Sequence, residues 1–282
     1  MGSCLALVLL PISQASGAEA QDLRLNPWVD IPVVVSSTTF TAVTYFAGEP
    51  PWIGPTPIGS PKLGVDARWA GRAKIDGRGP DLASDITALY PSFVAPFAIG
   101  LYGLLLPARG DDRWHRKLNR AATFAVVTLE AVTINEGVTH IIKHAIRRPR
   151  PYSYSDEWLA EYQEALDRGE HTDCEGQLSF PSGHTSGAGA WAFSVAHTLG
   201  ITQDWPWYFE MLPYLGALGI TTATGVLRIQ AHKHFPTDVI VGGVLGATIG
   251  LIVPELHRSQ RFTPRVTVTD GGTSVIGVAS TW

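Results

Sequence analysis

The chain has 282 residues, with 21 Lys and Arg against 25 Asp and Glu, so its net charge is −4 at pH 7. This mild acidity excludes a protein that binds nucleic acid through its overall charge, and we expect no nucleic-acid partner. Charged residues make up 16% of the chain and hydrophobic residues 45%, which excludes intrinsic disorder. The composition is too apolar for a typical cytosolic enzyme, but it does not establish a polytopic membrane protein.

Residues 1–20 are predicted to be a secretory signal peptide. An apolar run from Cys4 to Ile12 is followed by small residues up to Ala20, an order typical of an export signal and its cleavage site. No basic residue precedes Arg24, so the usual positive start is missing and an ordinary apolar N-terminus is the alternative. Cleavage would leave Cys174 alone, so no disulfide framework or four-cysteine zinc site is expected.

Six apolar segments follow, and each is predicted to form a helix. They lie at 31–48, 86–108, 121–142, 176–203, 211–227 and 239–254. Only the second comfortably has the roughly 20 apolar residues that cross a bilayer. Glu130 and Glu136 interrupt the third, and we expect both to face the bundle or a wet cavity. Small residues at 242–247 permit close helix approach, in a membrane or in a soluble bundle. We expect an all-α bundle of six helices, with membrane embedding favoured.

The connections complete a predicted organisation in four parts. The stretch 49–81 is rich in Pro and Gly and cannot be one continuous helix, whereas 156–162 is polar and helix-like. The C-terminal tail alternates apolar and polar residues around Asp270-Gly271-Gly272, which predicts a β-like hairpin. The parts are a signal peptide (1–20), a first apolar segment with its Pro/Gly-rich connection (21–85), a catalytic helical bundle (86–256) and a C-terminal tail (257–282).

The first chemical motif runs from Lys143 to Pro151 and is strongly basic. Such runs are commonly solvated surface or topology signals. Here Lys143 ends an apolar helix, and the two prolines around Arg150 hold the chain extended. Lys143 and Arg150 can therefore converge on one anion.

The second motif is Phe180-Pro181-Ser182-Gly183-His184, directly before an apolar helix. Ser182 is a good N-cap, and Gly183 lets the backbone approach a ligand closely. The free N–H groups at such a helix start bind anions, with His184 at the mouth of the site. The plainer alternative is a capped helix with a surface histidine.

The third motif spans 228–238 and ends in a helix start, because Pro236 suits the first helical position. His234 then lies just before the helix and Asp238 in its first turn, where a carboxylate can hold the imidazole N–H. The other ring nitrogen would be left as a nucleophile or base. His232 and His234 also suggest a metal. However, no third ligand is evident nearby and the intervening Lys233 would repel a cation, so no metal is expected.

Together and in this order, the three motifs resemble the signature of the type 2 phosphatidic acid phosphatase family. Its superfamily also contains bacterial class A acid phosphatases and vanadium haloperoxidases. The matching residues are Lys143, Arg150, Pro151, Pro181, Ser182, Gly183, His184, Arg228, His234 and Asp238. One departure is Leu227 before Arg228, where the family usually has Ser. This change removes a supporting hydroxyl but none of the residues expected to bind phosphate. Residues 1–80 and the tail after 260 show no resemblance.

The resemblance implies a fold, a site and a mechanism. The fold would be the family's all-α six-helix bundle. Lys143, Arg150 and Arg228 would form a cationic clamp that binds the substrate phosphate, helped by Ser182 and the Gly183 N–H. His234 would be the nucleophile that forms a phosphohistidine, and Asp238 would orient it. His184 would be the general acid for the leaving alkoxide and then the base for water. No metal or other cofactor is expected, because three side-chain cations supply the positive charge.

The predicted function is therefore a metal-independent phosphatase acting on a phosphomonoester or diphosphate, foremost a lipid phosphate. The alternatives are a vanadium-dependent haloperoxidase, in which the clamp holds vanadate and His234 ligates it, a soluble periplasmic acid phosphatase with broad specificity, and a non-catalytic family member.

The predicted location follows from the basic residues between the second and third helices, which favour the cytoplasmic side of a membrane. They are Arg109, Arg113, Arg116, Lys117 and Arg120. We expect the motifs to face the periplasm from a bacterial-type inner membrane, or the whole protein to be soluble in the periplasm.

Overall fold

The computed structural model describes residues 23–46, 64–107, 113–169, 174–258, 263–268 and 274–279. Within them the chain forms eight α-helices and one antiparallel pair of strands. The helices are α1 (Pro27–Phe46), α2 (Pro80–Ser84), α3 (Tyr90–Leu105), α4 (Arg113–Ile146), α5 (Asp156–Asp167), α6 (Gly183–Thr202), α7 (Trp207–Gln230) and α8 (Pro236–Leu256), and the strands are β1 (Thr263–Val268) and β2 (Ser274–Ala279). The predicted signal peptide and the predicted turn at 270–272 lie outside the described residues.

The all-α class of the bundle is confirmed, but the predicted count of six helices is wrong for the described part of the chain. Each of the six apolar segments overlaps one long helix, namely α1, α3, α4, α6, α7 and α8. The remaining two are the five-residue α2 and the twelve-residue α5. Both are too short or too polar to appear among apolar segments of membrane-spanning length.

Helix α6 is the central element and packs against α3, α4, α7 and α8. Its contact with α8 is backbone against backbone, because glycines recur on the facing side of α8. A Cβ on Gly246 would lie only 1.9 Å from the Ser186 carbonyl oxygen, and one on Gly242 would lie 2.6 Å from that of Ser182. The close approach predicted for 242–247 is confirmed. It brings the N-terminus of α8 beside the N-terminus of α6.

The outer surface of the bundle is strongly apolar. On α3, Phe97 is 78% exposed and Phe93 is 68% exposed, and on α8 Ile240 is 65% exposed. Three helical stretches in the described residues are long and apolar enough to cross a membrane, namely 80–105, 113–154 and 236–256. Exposed apolar side chains on such helices match hydrocarbon better than water, and they support a membrane location.

The two carboxylates of α4 point into the bundle, as the cost of exposing charge to hydrocarbon requires. Glu130 is buried. Oε1 of Glu136 faces α6, since a Cβ on Gly187 would lie 3.3 Å from it. Turning both charges inward leaves the outer face of α4 apolar, which explains how a helix with two glutamates can still have membrane-spanning character.

The predicted boundary between 21–85 and 86–256 does not correspond to a break in the packing. Helix α1 packs against α4. The connection after residue 64 is hydrogen-bonded to segments that carry the motifs. The Gly71 N–H donates to the Pro151 carbonyl at 2.9 Å, and the Ile75 N–H donates to the Ala231 carbonyl at 3.1 Å. Residues 64–85 therefore belong to the same packed unit as the helices that carry the motifs.

Candidate active site

The three motifs meet at one end of the bundle. Lys143 lies in the last turn of α4 and Arg228 in the last turn of α7. His184 lies in the first turn of α6, while His234 and Asp238 flank the start of α8. Gly183 is the first residue of α6 and Pro236 the first of α8, so both helix starts lie where the sequence predicts them. Two helix C-termini with cations thus face two helix N-termini with histidines.

His234 is buried, with 1% of its surface exposed. Its Nδ1 lies 2.7 Å from the Ser179 carbonyl oxygen, a distance and partner that place the proton on Nδ1. Nε2 then keeps its lone pair. Burial comes first in lowering the pKa of His234, followed by the charges of Arg150 and Arg228, and together they hold it well below the ordinary value. The imidazole is therefore neutral at pH 7, as a nucleophile must be.

Asp238 does not hold His234 directly, which corrects the sequence prediction. Its nearest carboxylate oxygen lies 3.9 Å from His234 Nδ1. That same oxygen accepts from the Phe235 N–H at 3.0 Å and from the Ser179 hydroxyl at 2.5 Å. At the third position of α8 the carboxylate accepts from the backbone N–H of the N-cap residue of its own helix, and this hydrogen bond competes with the imidazole. Asp238 therefore supports His234 through Ser179, whose carbonyl fixes the ring.

The two arginines of the clamp are buried and only partly satisfied. Arg150 donates from Nε to the Glu175 carbonyl at 2.8 Å and pairs with the Glu175 carboxylate at 3.1 Å. Arg228 donates from one terminal nitrogen to Asp81 at 2.7 Å. Among the residues that the structure describes, Nη1 of Arg150 and Nε of Arg228 have no hydrogen-bond partner despite their burial. Unpaired buried donors are costly, and a bound anion would satisfy them.

Lys143 and the start of α6 complete the cationic wall. The Lys143 ammonium donates to the Leu178 carbonyl at 3.2 Å and lies 3.7 Å from the Cβ position of Gly183. It therefore stands beside the free N–H groups of α6, which also attract anions. Ser182 is the N-cap, as predicted: its hydroxyl accepts from the Thr185 N–H and contacts the Thr185 hydroxyl at 2.9 Å. The cap thus occupies the Ser182 hydroxyl within its own helix.

His184 has a partner that the sequence analysis missed. Its Nε2 lies 2.7 Å from a carboxylate oxygen of Asp85, in the π-helical turn between α2 and α3. Burial lowers the pKa of His184 to about 4, against the opposing effect of the Asp85 hydrogen bond. In its half-buried position His184 is therefore neutral at pH 7 until negative charge enters the site.

Further acidic residues of the 64–85 connection line the back of the site, although the sequence analysis gave that stretch no role. Asp66 accepts from Arg148 at 2.8 Å, and Arg148 also pairs with Asp238 at 2.5 Å. Lys233 pairs with Asp76 at 2.6 Å and with Asp81 at 2.9 Å. The sequence offered one sign of these ion pairs. The chain has few charged residues, and a group of acidic residues at 64–85 could be expected to pair with the basic residues of the motifs.

His232 and His234 make separate contacts and do not form a pair of metal ligands. Its Nδ1 lies 2.7 Å from the Ala73 carbonyl oxygen, in a left-handed backbone conformation with φ of 59°. The neighbouring Lys233 is committed to Asp76 and Asp81. In the described ranges the residues grouped like a metal site are Asp30, Glu130 and His257, at the other end of the bundle.

Part of the chain is similar in sequence to known proteins. Residues 124–262 match the family model of the PAP2 superfamily. Phospholipid phosphatase 1 of Rattus norvegicus is 27% identical over 139 residues, covering 44% of this chain and 49% of that protein. Decaprenylphosphoryl-5-phosphoribose phosphatase of Mycobacterium tuberculosis is 31% identical over 91 residues, covering 32% of this chain and 44% of that protein. The chain thus spans about half the length of these curated relatives.

Among solved structures, the chain is similar to a transmembrane PAP2 type phosphatidylglycerolphosphate phosphatase from Bacillus subtilis. The identity is 17%, the TM-score is 0.44, and the match covers 84% of this chain and 90% of that chain. The family-model match contains all three motifs, from Lys143 to Asp238. The similarity to the PAP2 superfamily is therefore established over residues 124–262, about half of the chain.

Proposed function

We propose that this protein is a metal-independent phosphatase that hydrolyses a lipid phosphate monoester or diphosphate through a phosphohistidine on His234. The observation that carries the proposal is a buried neutral imidazole with a free Nε2, set among Lys143, Arg150 and Arg228. A neutral nucleophile beside three cations fits attack on an anionic phosphorus centre.

The cations would bind the non-bridging oxygens of the phosphoryl group. Arg150 Nη1 and Arg228 Nε bring unpaired buried donors, and Lys143 brings an ammonium beside the start of α6. Fixed cations lower the barrier to the extent that they interact more strongly with the charge distribution of the transition state than with that of the bound substrate. Three side-chain cations can supply the positive charge that magnesium ions supply in other phosphoryl-transfer enzymes.

The reaction then proceeds in two balanced steps. His234 Nε2 attacks phosphorus, the bond to the lipid oxygen breaks, and His184 gives its proton to that leaving alkoxide. Next, His184 takes a proton from water, the resulting hydroxide attacks the phosphohistidine, and inorganic phosphate leaves with His234 restored. His184 takes up its proton when substrate binds, because the negative charge of a bound phosphate raises the pKa of His184 from about 4.

A lipid substrate is favoured by an apolar groove beside the site. The groove has a volume of about 520 Å³ and runs between α3 and α6, lined by Ile86, Tyr90, Trp191 and Val195 among others. Ile86 directly follows Asp85, the partner of His184, so one end of the groove lies beside the proposed general acid. A lipid tail can lie in the groove while its phosphate enters the clamp.

The same arrangement supports a periplasmic active site. Helix α4 has 34 residues and is therefore about 50 Å long, with Lys143 at one end and Arg113, Arg116 and Lys117 at the other. Basic residues favour the cytoplasmic end of a membrane helix, and this preference supports a clamp on the opposite side. Export of the N-terminal segment is part of this proposal.

The deciding experiment is a phosphate-release assay on the purified full chain in detergent. We expect release from phosphatidic acid or a polyprenyl diphosphate, little from glycerol phosphate, and an acid-labile phosphoenzyme after rapid quenching. His184→Ala should still form the phosphoenzyme from a substrate with a good leaving group, such as an aryl phosphate, but should hydrolyse it slowly. Bromide oxidation with added vanadate, without phosphate release, would instead favour the haloperoxidase alternative.

A further inference from the structure

A second buried polar cluster lies at the opposite end of the bundle from the clamp. Asp30 is in the first turn of α1, Glu130 is in the middle of α4, and His257 directly follows α8. Asp30 and Glu130 are each 5% exposed, and the His257 side chain is 9% exposed. One ligand-type atom from each residue lies within 4.8 Å of the others.

The orientation of the His257 ring aims its free nitrogen at both carboxylates. Nδ1 lies 2.9 Å from the Val253 carbonyl oxygen, which places the proton there. Nε2 lies 3.1 Å from Glu130 Oε2 and 3.5 Å from Asp30 Oδ1. Although both are buried, neither Nε2 nor Glu130 Oε2 has a hydrogen bond of acceptable direction within the described residues. With the proton on Nδ1, three electron-rich atoms converge on one centre, which either a metal ion or a second proton on Nε2 would fill.

These distances match the edges of a metal coordination polyhedron. Zinc binds imidazole nitrogen and carboxylate oxygen at about 2.0–2.2 Å, so two ligands of a tetrahedral ion are about 3.3–3.6 Å apart. The observed separations of 3.1 and 3.5 Å lie close to that range. A cation at the common centre would satisfy both unpartnered atoms and remove the repulsion between them.

The surroundings also hold the ligands as a metal site requires. A metal-ligating histidine commonly donates its other N–H to a backbone carbonyl, as His257 does to Val253. The second oxygen of Asp30 accepts from the Asn26 N–H at 2.7 Å, which fixes the carboxylate and leaves Oδ1 for the centre.

We propose that Asp30 Oδ1, Glu130 Oε2 and His257 Nε2 bind one divalent transition-metal ion, with zinc best matching the separations and water completing the tetrahedron. The ion would tie the start of α1 to the middle of α4 and the end of α8. The rise along α4 from Glu130 to Lys143 and the length of α8 put this site about 20–30 Å from the clamp. The bound ion would stabilise the fold, and it would take no part in the hydrolysis.

The test uses the full chain without an affinity tag, purified in detergent, stripped with EDTA and then titrated with ZnCl₂ or MgCl₂. Metal content by mass spectrometry and the Tm are the readouts. We expect about one zinc per chain and a Tm that rises with zinc but not with magnesium. Glu130→Gln and His257→Ala should hold about a tenth of the zinc or less. His197→Ala is the matched control, because His197 contacts Glu255 at 3.1 Å and lies outside the cluster.

Two results would overturn the proposal. One is a stripped wild-type chain that neither binds zinc in a saturable way nor changes its Tm, which would leave a proton as the occupant of the cluster. The other is equal zinc in wild type, Glu130→Gln and Asp30→Asn. If the variants fail to fold, the wild-type titration decides alone. Neither readout depends on phosphatase activity, so failure of the proposed function is seen separately.

Discussion

The two ends of α8 carry the same histidine arrangement in opposite electrostatic surroundings. At the N-terminal end His234 binds the Ser179 carbonyl through Nδ1 at 2.7 Å, and at the C-terminal end His257 binds the Val253 carbonyl at 2.9 Å. Each ring therefore turns Nε2 toward a buried centre. Cations surround the first Nε2 and carboxylates surround the second. The backbone fixes the direction of the lone pair, whereas the neighbouring charges decide whether it meets an anionic substrate or a cation.

The largest expected effect separates the two histidines. His234→Ala should lower turnover by about 10³-fold or more, because the nucleophile is lost, and any fall in its Tm from the cavity left by the buried ring should be independent of zinc. His257→Ala should do the reverse, with turnover within about twofold at low temperature and a lower Tm. Steady-state kinetics and thermal unfolding on both variants check this. Full activity in His234→Ala would refute the mechanism, and loss of turnover in a folded His257→Ala would show that the two ends are coupled.

The middle of α8 tests what holds the two ends in place. Gly246→Ala should destabilise the fold by about 2 kcal/mol or more, because the new Cβ would lie 1.9 Å from the Ser186 carbonyl oxygen. Gly216→Ala is the matched control, since its Cβ would meet nothing within 4 Å. Thermal or denaturant unfolding in the same detergent compares the two. Equal stability of the variants would mean that α6 and α8 are not in backbone contact.

The catalytic end should make the fold sensitive to acid. The pKa of His184 is about 4 in the folded protein against an ordinary 6.5, so the unfolded chain takes up this proton first as the pH falls. The associated stability is complete above pH 6.5 and is lost between pH 6.5 and 4, with a total of at most about 3 kcal/mol. His184→Gln should lose part of this dependence in unfolding measured across that range. An unchanged pH profile in the variant would place the acid sensitivity elsewhere.

The smallest expected effect is that of chelation on turnover. After EDTA, phosphate release measured well below the Tm should change by less than about twofold, because Lys143, Arg150 and Arg228 supply the charge at the phosphate. The same treatment should lower the Tm through the distal cluster. Orthovanadate should inhibit by occupying the clamp as a trigonal-bipyramidal mimic. Loss of turnover on chelation, restored by a divalent ion at constant Tm, would contradict the metal-independent mechanism.

Local sequence determined much of the catalytic end. Ser182 caps a helix whose first residue is Gly183, and Pro236 begins α8, because capping and proline geometry act over a few neighbouring residues. The order of the three motifs gave the family resemblance and the candidate residues. The glycines of α8 foretold a close helix contact, since their missing side chains are visible in the sequence itself.

Only the tertiary structure decided the partners of those residues. Asp85 reaches His184 across 99 positions and Asp81 reaches Arg228 across 147. Ser179, in place of Asp238, orients His234. Asp30, Glu130 and His257 come together from α1, α4 and the end of α8, where no local pattern links them. Such contacts depend on how each helix is rotated and how closely the helices pack, and these are properties of the whole bundle rather than of any one segment.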